Sequence, residues 1–241
     1  MLTYVVTNDW QIPFHDRAVI DNLFLPFVHW LKPDGFIWNG DITDCYALSV
    51  FDKNPLTDAG LLKESKIVQA YMKELEWIRR KEWLGGNHEG RVQRYLWKNA
   101  GDLALDPNKV FKDIFRPDRY GFNYHPYGHV IRLGSLDITH GSVVRQHSGW
   151  SGKAHFDKRG SSVLIGHTHR LGAYYKTNAR GIHAAYENGC MCSLKPEYVQ
   201  DPDWQQGFAV VKVASRGTFS VQQIPIINRR LLLYGDKEWT R

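Results

Sequence analysis

The stretch Ile165-Gly166-His167-Thr168-His169-Arg170 sets two histidines two residues apart behind a glycine. The short apolar run before it, Ser162 to Ile165, reads as a buried strand. A polar, glycine-led loop at the carboxyl end of a strand is where open α/β sheets place their ligands. Alone, the pair has two readings: metal ligands, or two of eleven histidines fallen close together. The rest of the chain has to supply the missing partners.

Other apolar runs end in the same way. Leu2 to Thr7 ends in Asn8-Asp9-Trp10-Gln11, and Phe36-Ile37-Trp38 ends in Asn39-Gly40-Asp41-Ile42-Thr43-Asp44. A long helical pattern over residues 60–83, with Leu61, Val68, Met72, Leu75 and Ile78 on one face, is broken by Leu84-Gly85-Gly86-Asn87-His88-Glu89. A hairpin closed around Gly134-Ser135 ends in His140. Asp, Asn and His thus follow five successive elements. Carboxylate and imidazole together suit Mn, Fe, Zn or Co better than Ca alone. The glycines before Asp41, Asn87 and His167 are expected to allow tight turns at positive φ.

Asp16 reads as the N-cap of a helix carrying Val19, Leu23, Phe27 and Trp30, and Pro26 is expected to kink or split it. Residues 92–97 and 149–158 read as short helices, and residues 100–128 as irregular connection. Further strands are expected over residues 182–186, 208–214 and 218–224. Strand and helix alternate in the first half and strands dominate the second. That pattern predicts one α/β domain over residues 1–241, with a mixed or double sheet.

Bulk properties narrow the class. The 241 residues are enough for a sizeable core without staples. Three cysteines, two of them nearly adjacent, make a poor disulfide framework and favour a reducing compartment. The N-terminus lacks a signal-peptide pattern and no apolar run is long enough for a membrane span, so a cytoplasmic location is expected. The net charge of +6 is compatible with an anionic partner or simply with solubility. Nine Trp and 13% aromatics indicate a dense core or stacking surfaces.

The ordered series of an Asp after the first strand, G-D-x-x-D, G-N-H-E, an isolated His and G-H-x-H resembles the calcineurin-like metallophosphoesterase superfamily, in its short phage or bacterial form. The match spans residues 9 to 169. The resemblance implies a two-sheet β-sandwich flanked by helices, in four layers α/β/β/α. It implies a phosphodiesterase or phosphatase that uses a metal-bridging hydroxide and two divalent ions, manganese foremost, with Fe, Zn, Ni, Co or Mg as alternatives. Asp9, Asp41 and His169 would hold one ion, and Asp41, Asn87, His140 and His167 the other. His88 would act as general acid, with Glu89 orienting it and Asp44 supporting the site. Arg170 would contact phosphate at the rim.

One position departs from the family pattern. Gln11 stands where an imidazole is usual. It could be a direct ligand through its carbonyl oxygen, act through a water, or be replaced by His15. An amide oxygen would favour Mn or Mg over Zn there.

Each residue has a plainer reading by itself: Asp9 as a turn residue, Asp41 and Asp44 as caps, His140 as a core histidine. Five blocks in order outweigh those readings. His29, His125, His129, His147, His155 and His183 have no motif behind them. The segments 91–98 and 145–170 are locally basic, the first with Tyr95 and Trp97 interleaved. Such segments suit a single-stranded nucleic acid or nucleotide partner, or else a solvated helix face. The expected substrate is therefore a nucleic-acid or nucleotide phosphoester. The alternatives are a protein or small-molecule phosphomonoester, and a non-catalytic metal-binding scaffold.

Overall fold

The computed structural model describes residues 1–179, 181–196 and 199–241. β1 (Leu2–Thr7) leads to a helical segment, α1 (residues 17–31), and then to β2 (Gly35–Asn39). α2 (Leu61–Glu74) precedes β3 (Arg80–Leu84), followed by α3 (Gly90–Asn99), α4 (Pro107–Phe115) and β4 (Phe122–His125). The hairpin β5 (Ile131–Leu133) and β6 (Leu136–Ile138) comes next, then α5 (Trp150–Arg159) and β7 (Ser162–Ile165). β8 (Leu171–Asn178), β9 (Gly181–Asn188), β10 (Gly207–Val213), β11 (Phe219–Ile227), β12 (Leu231–Tyr234) and β13 (Lys237–Thr240) complete the chain.

The strands form two sheets. One has the order β13-β12-β11-β10-β1-β2-β3-β4, and the other β5-β6-β7-β9-β8. β1, β2, β3 and β4 run parallel, as do β6, β7 and β9. Period-2 alternation sorts their side chains into layers. Val5, Phe36, Trp38 and Trp83 face the core under α1, α2 and α4. Tyr4, Val6, Ile37 and Leu84 face the other way, onto Ile138, Leu164 and Tyr186 of the second sheet. Val163 and Ile165 leave that seam and meet Phe156 of α5. The result is the four-layer α/β/β/α sandwich. The aromatic excess lies mostly inside it, with Trp10, Trp38, Trp83 and seven Phe fully buried. No helix among the described residues is long and apolar enough to cross a membrane.

Several sequence expectations change. The helix of residues 60–83 stops at Glu74, and residues 80–84 are a central strand instead. Its charges disguised it. Lys81 is buried with its ammonium on the carbonyls of Glu76 and Ile78, and Glu82 pairs with Arg80 at 3.0 Å and His125 at 2.9 Å. The stretch 100–128 holds α4 and the edge strand β4 rather than irregular connection. α4 starts where Asp106 accepts from Asn108 N (2.9 Å) and Pro107 occupies the first turn. Pro26 does not break α1; a π-helical turn at Ile20–Phe24 precedes it and the chain continues as helix. Asp16 caps that helix as expected. β8, β12 and β13 were not legible.

Candidate metal centre

β1, β2 and β3 are parallel neighbours, so the loops after them emerge at one edge of the first sheet. The loops after β6 and β7 emerge beside them from the second sheet, with Gly166 N donating to His140 O at 3.0 Å. Backbone ladders hold the loops in register. Asp9 N donates to Gly40 O, Gln11 N to Asp41 O and Asp44 N to Ile12 O, each at 2.9 Å.

The side chains converge across the seam. Ligand atoms of Asp41, His140 and His167 all lie within 4.8 Å of one another. His140 Nε2 is 3.2 Å from both Asp41 Oδ2 and Asn87 Oδ1. Its Nδ1 is 2.8 Å from Asn39 O, so Nδ1 carries the proton outward and Nε2 faces the site. On the β1 side, Asp9 Oδ1 lies 3.1 Å from His169 Nε2, and the Gln11 amide lies 3.3 Å from the same nitrogen. Asp9, Asp41, His140 and His169 are all buried.

Electrostatics match a site short of positive charge. Burial would raise the Asp41 pKa, but His140 and His88 hold it well below the usual carboxylate range. Burial would lower that of His140, but Asp41 and Asp9 push it up to about 10. His169 rises to about 10 against its burial, through Cys192 and Asp9. Protons on these histidines stand where a divalent cation would stand. Asp9 Oδ1 is buried and accepts no hydrogen bond of good geometry. The donor set of carboxylates, an amide and imidazoles fits a divalent transition ion.

The local backbone explains the glycines. Gly40 has φ +89, as expected, but neither Gly86 nor Gly166 is left-handed. They are glycines because a side chain would not fit: a Cβ at Gly86 would overlap Asp41 Oδ1, and one at Gly166 would lie 2.8 Å from Asp9 Oδ2. Positive φ falls instead on Asp9 (52°), Gln11 (49°), Asp41 (52°), His167 (70°) and His169 (59°). Non-glycine residues in that region store strain, and such strain gathers at functional sites.

His88 sits at the mouth. Its backbone N donates to Asp41 Oδ1 (2.8 Å), its Nδ1 meets Asp44 Oδ2 (3.0 Å) and its Nε2 is 3.7 Å from Asp41 Oδ2. Asp44 in turn accepts from Arg91 at 2.6 Å. Glu89 does not orient His88. Its carboxylate accepts from the backbone N of Asp41 (2.9 Å), Ile42 (2.8 Å), Thr43 (3.2 Å) and Gly86 (2.7 Å), tying two loops together. Arg170 is not at the rim. It is buried, and its guanidinium donates to the carbonyls of Arg145 and Gln146. His15 faces Tyr71 at 3.2 Å, while the Gln11 amide is the group beside His169.

Five sequence blocks, in order, deliver their polar side chains to one mouth at the seam of two sheets. The two-sheet sandwich and the order of these blocks are those expected from the resemblance to the calcineurin-like metallophosphoesterases. No family model matches it. The Gene 54 protein of Mycobacterium phage D29 is 27% identical over 249 residues, spanning 96% of each chain. A Vps29 single mutant from Entamoeba histolytica is similar with a TM-score of 0.49 and 13% identity, over 95% of this chain and 94% of that one. A dimetal phosphatase from Danio rerio is similar with a TM-score of 0.47 and 12% identity, over 91% of this chain and 98% of that one.

Further residues support the site. Asn188 Nδ2 donates to Asn8 Oδ1 (2.8 Å), and Asn8 Nδ2 donates to Asp9 Oδ2 (2.6 Å), so the Asn188-Gly189 turn reaches Asp9 through Asn8. Glu64, fully buried on α2, accepts from the backbone of Cys45 (2.7 Å) and Tyr46 (2.9 Å) and fixes the loop after Asp44. Cys192 Sγ lies 3.8 Å from His169 Nδ1. Only the Asn-Gly turn carried a sequence signal; the others are ordinary residues until the fold assembles them.

Proposed function

We propose that this chain hydrolyses phosphoesters, with nucleic-acid or nucleotide phosphoesters as its substrate class. The observation that carries this reading is the convergence of Asp9, Asp41, Asn87, His140, His167 and His169 at one mouth on the seam of the two sheets. Asp9, Gln11, Asp41 and His169 would hold one divalent ion. Asp41, Asn87, His140 and His167 would hold the other. Manganese suits a set that has an amide in place of one imidazole. Bound ions of this kind supply an activated water and neutralise phosphate charge.

The chain's own groups do the rest. Asp44 fixes Nδ1 of His88, which leaves Nε2 directed into the mouth. Burial alone would lower the His88 pKa, but Asp41 and Asp44 raise it. His88, held by Asp44, would act as general acid towards the departing alkoxide or phenoxide oxygen. Glu89 holds the Asp41 loop rigid, because charge-assisted bonds to backbone N–H are strong.

Hydrolysis of bis-p-nitrophenyl phosphate and p-nitrophenyl phosphate with added Mn tests the reading. Turnover lost in Asn87→Ala and in His140→Ala, with circular dichroism unchanged, supports it. A folded wild type that turns over neither ester with any divalent ion would make this a non-catalytic scaffold.

A further inference from the structure

A cleft of about 470 Å³ opens beside the mouth, between the loop of residues 47–53 and α3. It begins at Asn87, next to His88, and at Arg91, whose guanidinium lies 3.4 Å from His88 Nε2, and runs outward past Arg94 and Tyr95 to Lys98, with Lys53 and Phe51 on the facing wall. Its lining carries four cations, Lys53, Arg91, Arg94 and Lys98, and no carboxylate. Arg91, Arg94 and Lys98 are three and four residues apart, so they share one face of the helix. From Arg91 to Lys98 that face extends on the order of 10 Å. Tyr95 (45% exposed) and Phe51 (75% exposed) offer ring faces to solvent in the same cleft.

We propose that this cleft is a binding track for a single nucleic-acid strand, on the side of the site where His88 protonates the leaving group. The proposal rests on the phosphoesterase reading and names its substrate class. A mononucleotide or a phosphorylated side chain would reach only the inner arginines. A strand also presents phosphates to Lys98 and Lys53, and a base to Tyr95. Cations that follow a backbone, with aromatic rings to stack on, are the recurring means of binding single strands. Arg91, Arg94 and Lys53 are partly committed, to Asp44 (2.6 Å), to Asn87 O (2.7 Å) and to Ala47 O (3.1 Å), so Lys98 and Tyr95 are the most discriminating residues.

The test compares wild type with Lys98→Ala, Lys53→Ala and Tyr95→Ala, all exposed positions outside the catalytic machinery. Fluorescence anisotropy of a labelled single-stranded oligonucleotide is followed against salt, and bis-p-nitrophenyl phosphate turnover is measured in parallel. Tyr95→Ala is expected to weaken oligonucleotide binding roughly 5- to 100-fold. Each lysine variant should reduce the slope of log K against log salt by about 0.7. Aryl diester turnover should stay within about twofold of wild type, as for surface substitutions away from a site. The proposal is overturned if wild type binds the oligonucleotide with no salt dependence, if the three variants bind it as wild type does, or if duplex or a phosphopeptide binds more tightly. Binding is read without turnover, so an inactive wild type that still binds strands would refute the phosphoesterase reading alone.

Discussion

Nδ1 of His88 lies 3.0 Å from Asp44 Oδ2, and the other oxygen of Asp44 lies 2.6 Å from Arg91. His88 is therefore positioned by a carboxylate that is itself fixed by a helix residue. Asp44→Asn should lower kcat roughly 10- to 100-fold, the usual cost of losing such a supporting partner, with metal content unchanged. His88→Ala should cost roughly 10²- to 10⁴-fold. The His88 deficit should be smaller for a p-nitrophenyl ester than for an alkyl ester, because p-nitrophenolate departs without a proton. Equal deficits for both esters would remove His88 from the acid role.

Gly86→Ala should fold and bind metal poorly. Its new Cβ would overlap Asp41 Oδ1, whereas a Cβ at Gly101 meets nothing within 4 Å. Metal titration by calorimetry should show at least roughly tenfold weaker binding for Gly86→Ala, as for disturbed ligand support. Gly101→Ala should bind as wild type does.

Gln11→His should strengthen the half of the centre that contains His169. The Gln11 amide already stands 3.3 Å from His169 Nε2, so an imidazole there needs no backbone change at φ 49. Metal binding should tighten roughly tenfold or more and shift in preference from Mn towards Zn, read by competition with a chromophoric chelator. Unchanged Zn affinity would place residue 11 outside the ligand set.

Glu64 gives a pH signature. Burial pushes its pKa up to about 7 from a reference of 4.5. In the unfolded chain it ionises first, so folding stability falls as pH rises from 4.5 towards 7. The contribution of this residue to that fall is on the order of 3 kcal/mol. Glu64→Gln should be less stable at low pH, because an amide hydrogen then faces a backbone donor. Its stability should also lose less between pH 5 and 8 than that of wild type, measured by urea unfolding. Parallel pH profiles for the two proteins would contradict the raised value.

The convergence of the candidate ligands was legible because these residues follow short apolar strands and fall in a known order. Asp9, Asp41, Asn87, His140, His167 and His169 are where the sequence placed them, at strand ends that the parallel ladder brings to one edge. β3 was hidden because Arg80, Lys81 and Glu82 look like a helix surface until their charges find partners in the fold. The role of Glu89 was misread for a related reason. A carboxylate beside His88 in sequence suggests a side-chain partner, yet the turn at Gly86 aims it at four backbone amides. Arg170 follows the histidine pair but turns inward, and no local pattern encodes that direction.

The proposed donors come from both sheets: Asp9, Gln11, Asp41 and Asn87 follow strands of the first, and His140, His167 and His169 follow strands of the second. An ion shared among them is then a rivet through the seam. Chelation would remove a fastening between two layers as well as a catalyst. The stripped protein should melt earlier, with hydrogen exchange rising first along the facing strands β1 and β7, while the aromatic core on the far side of the first sheet stays protected.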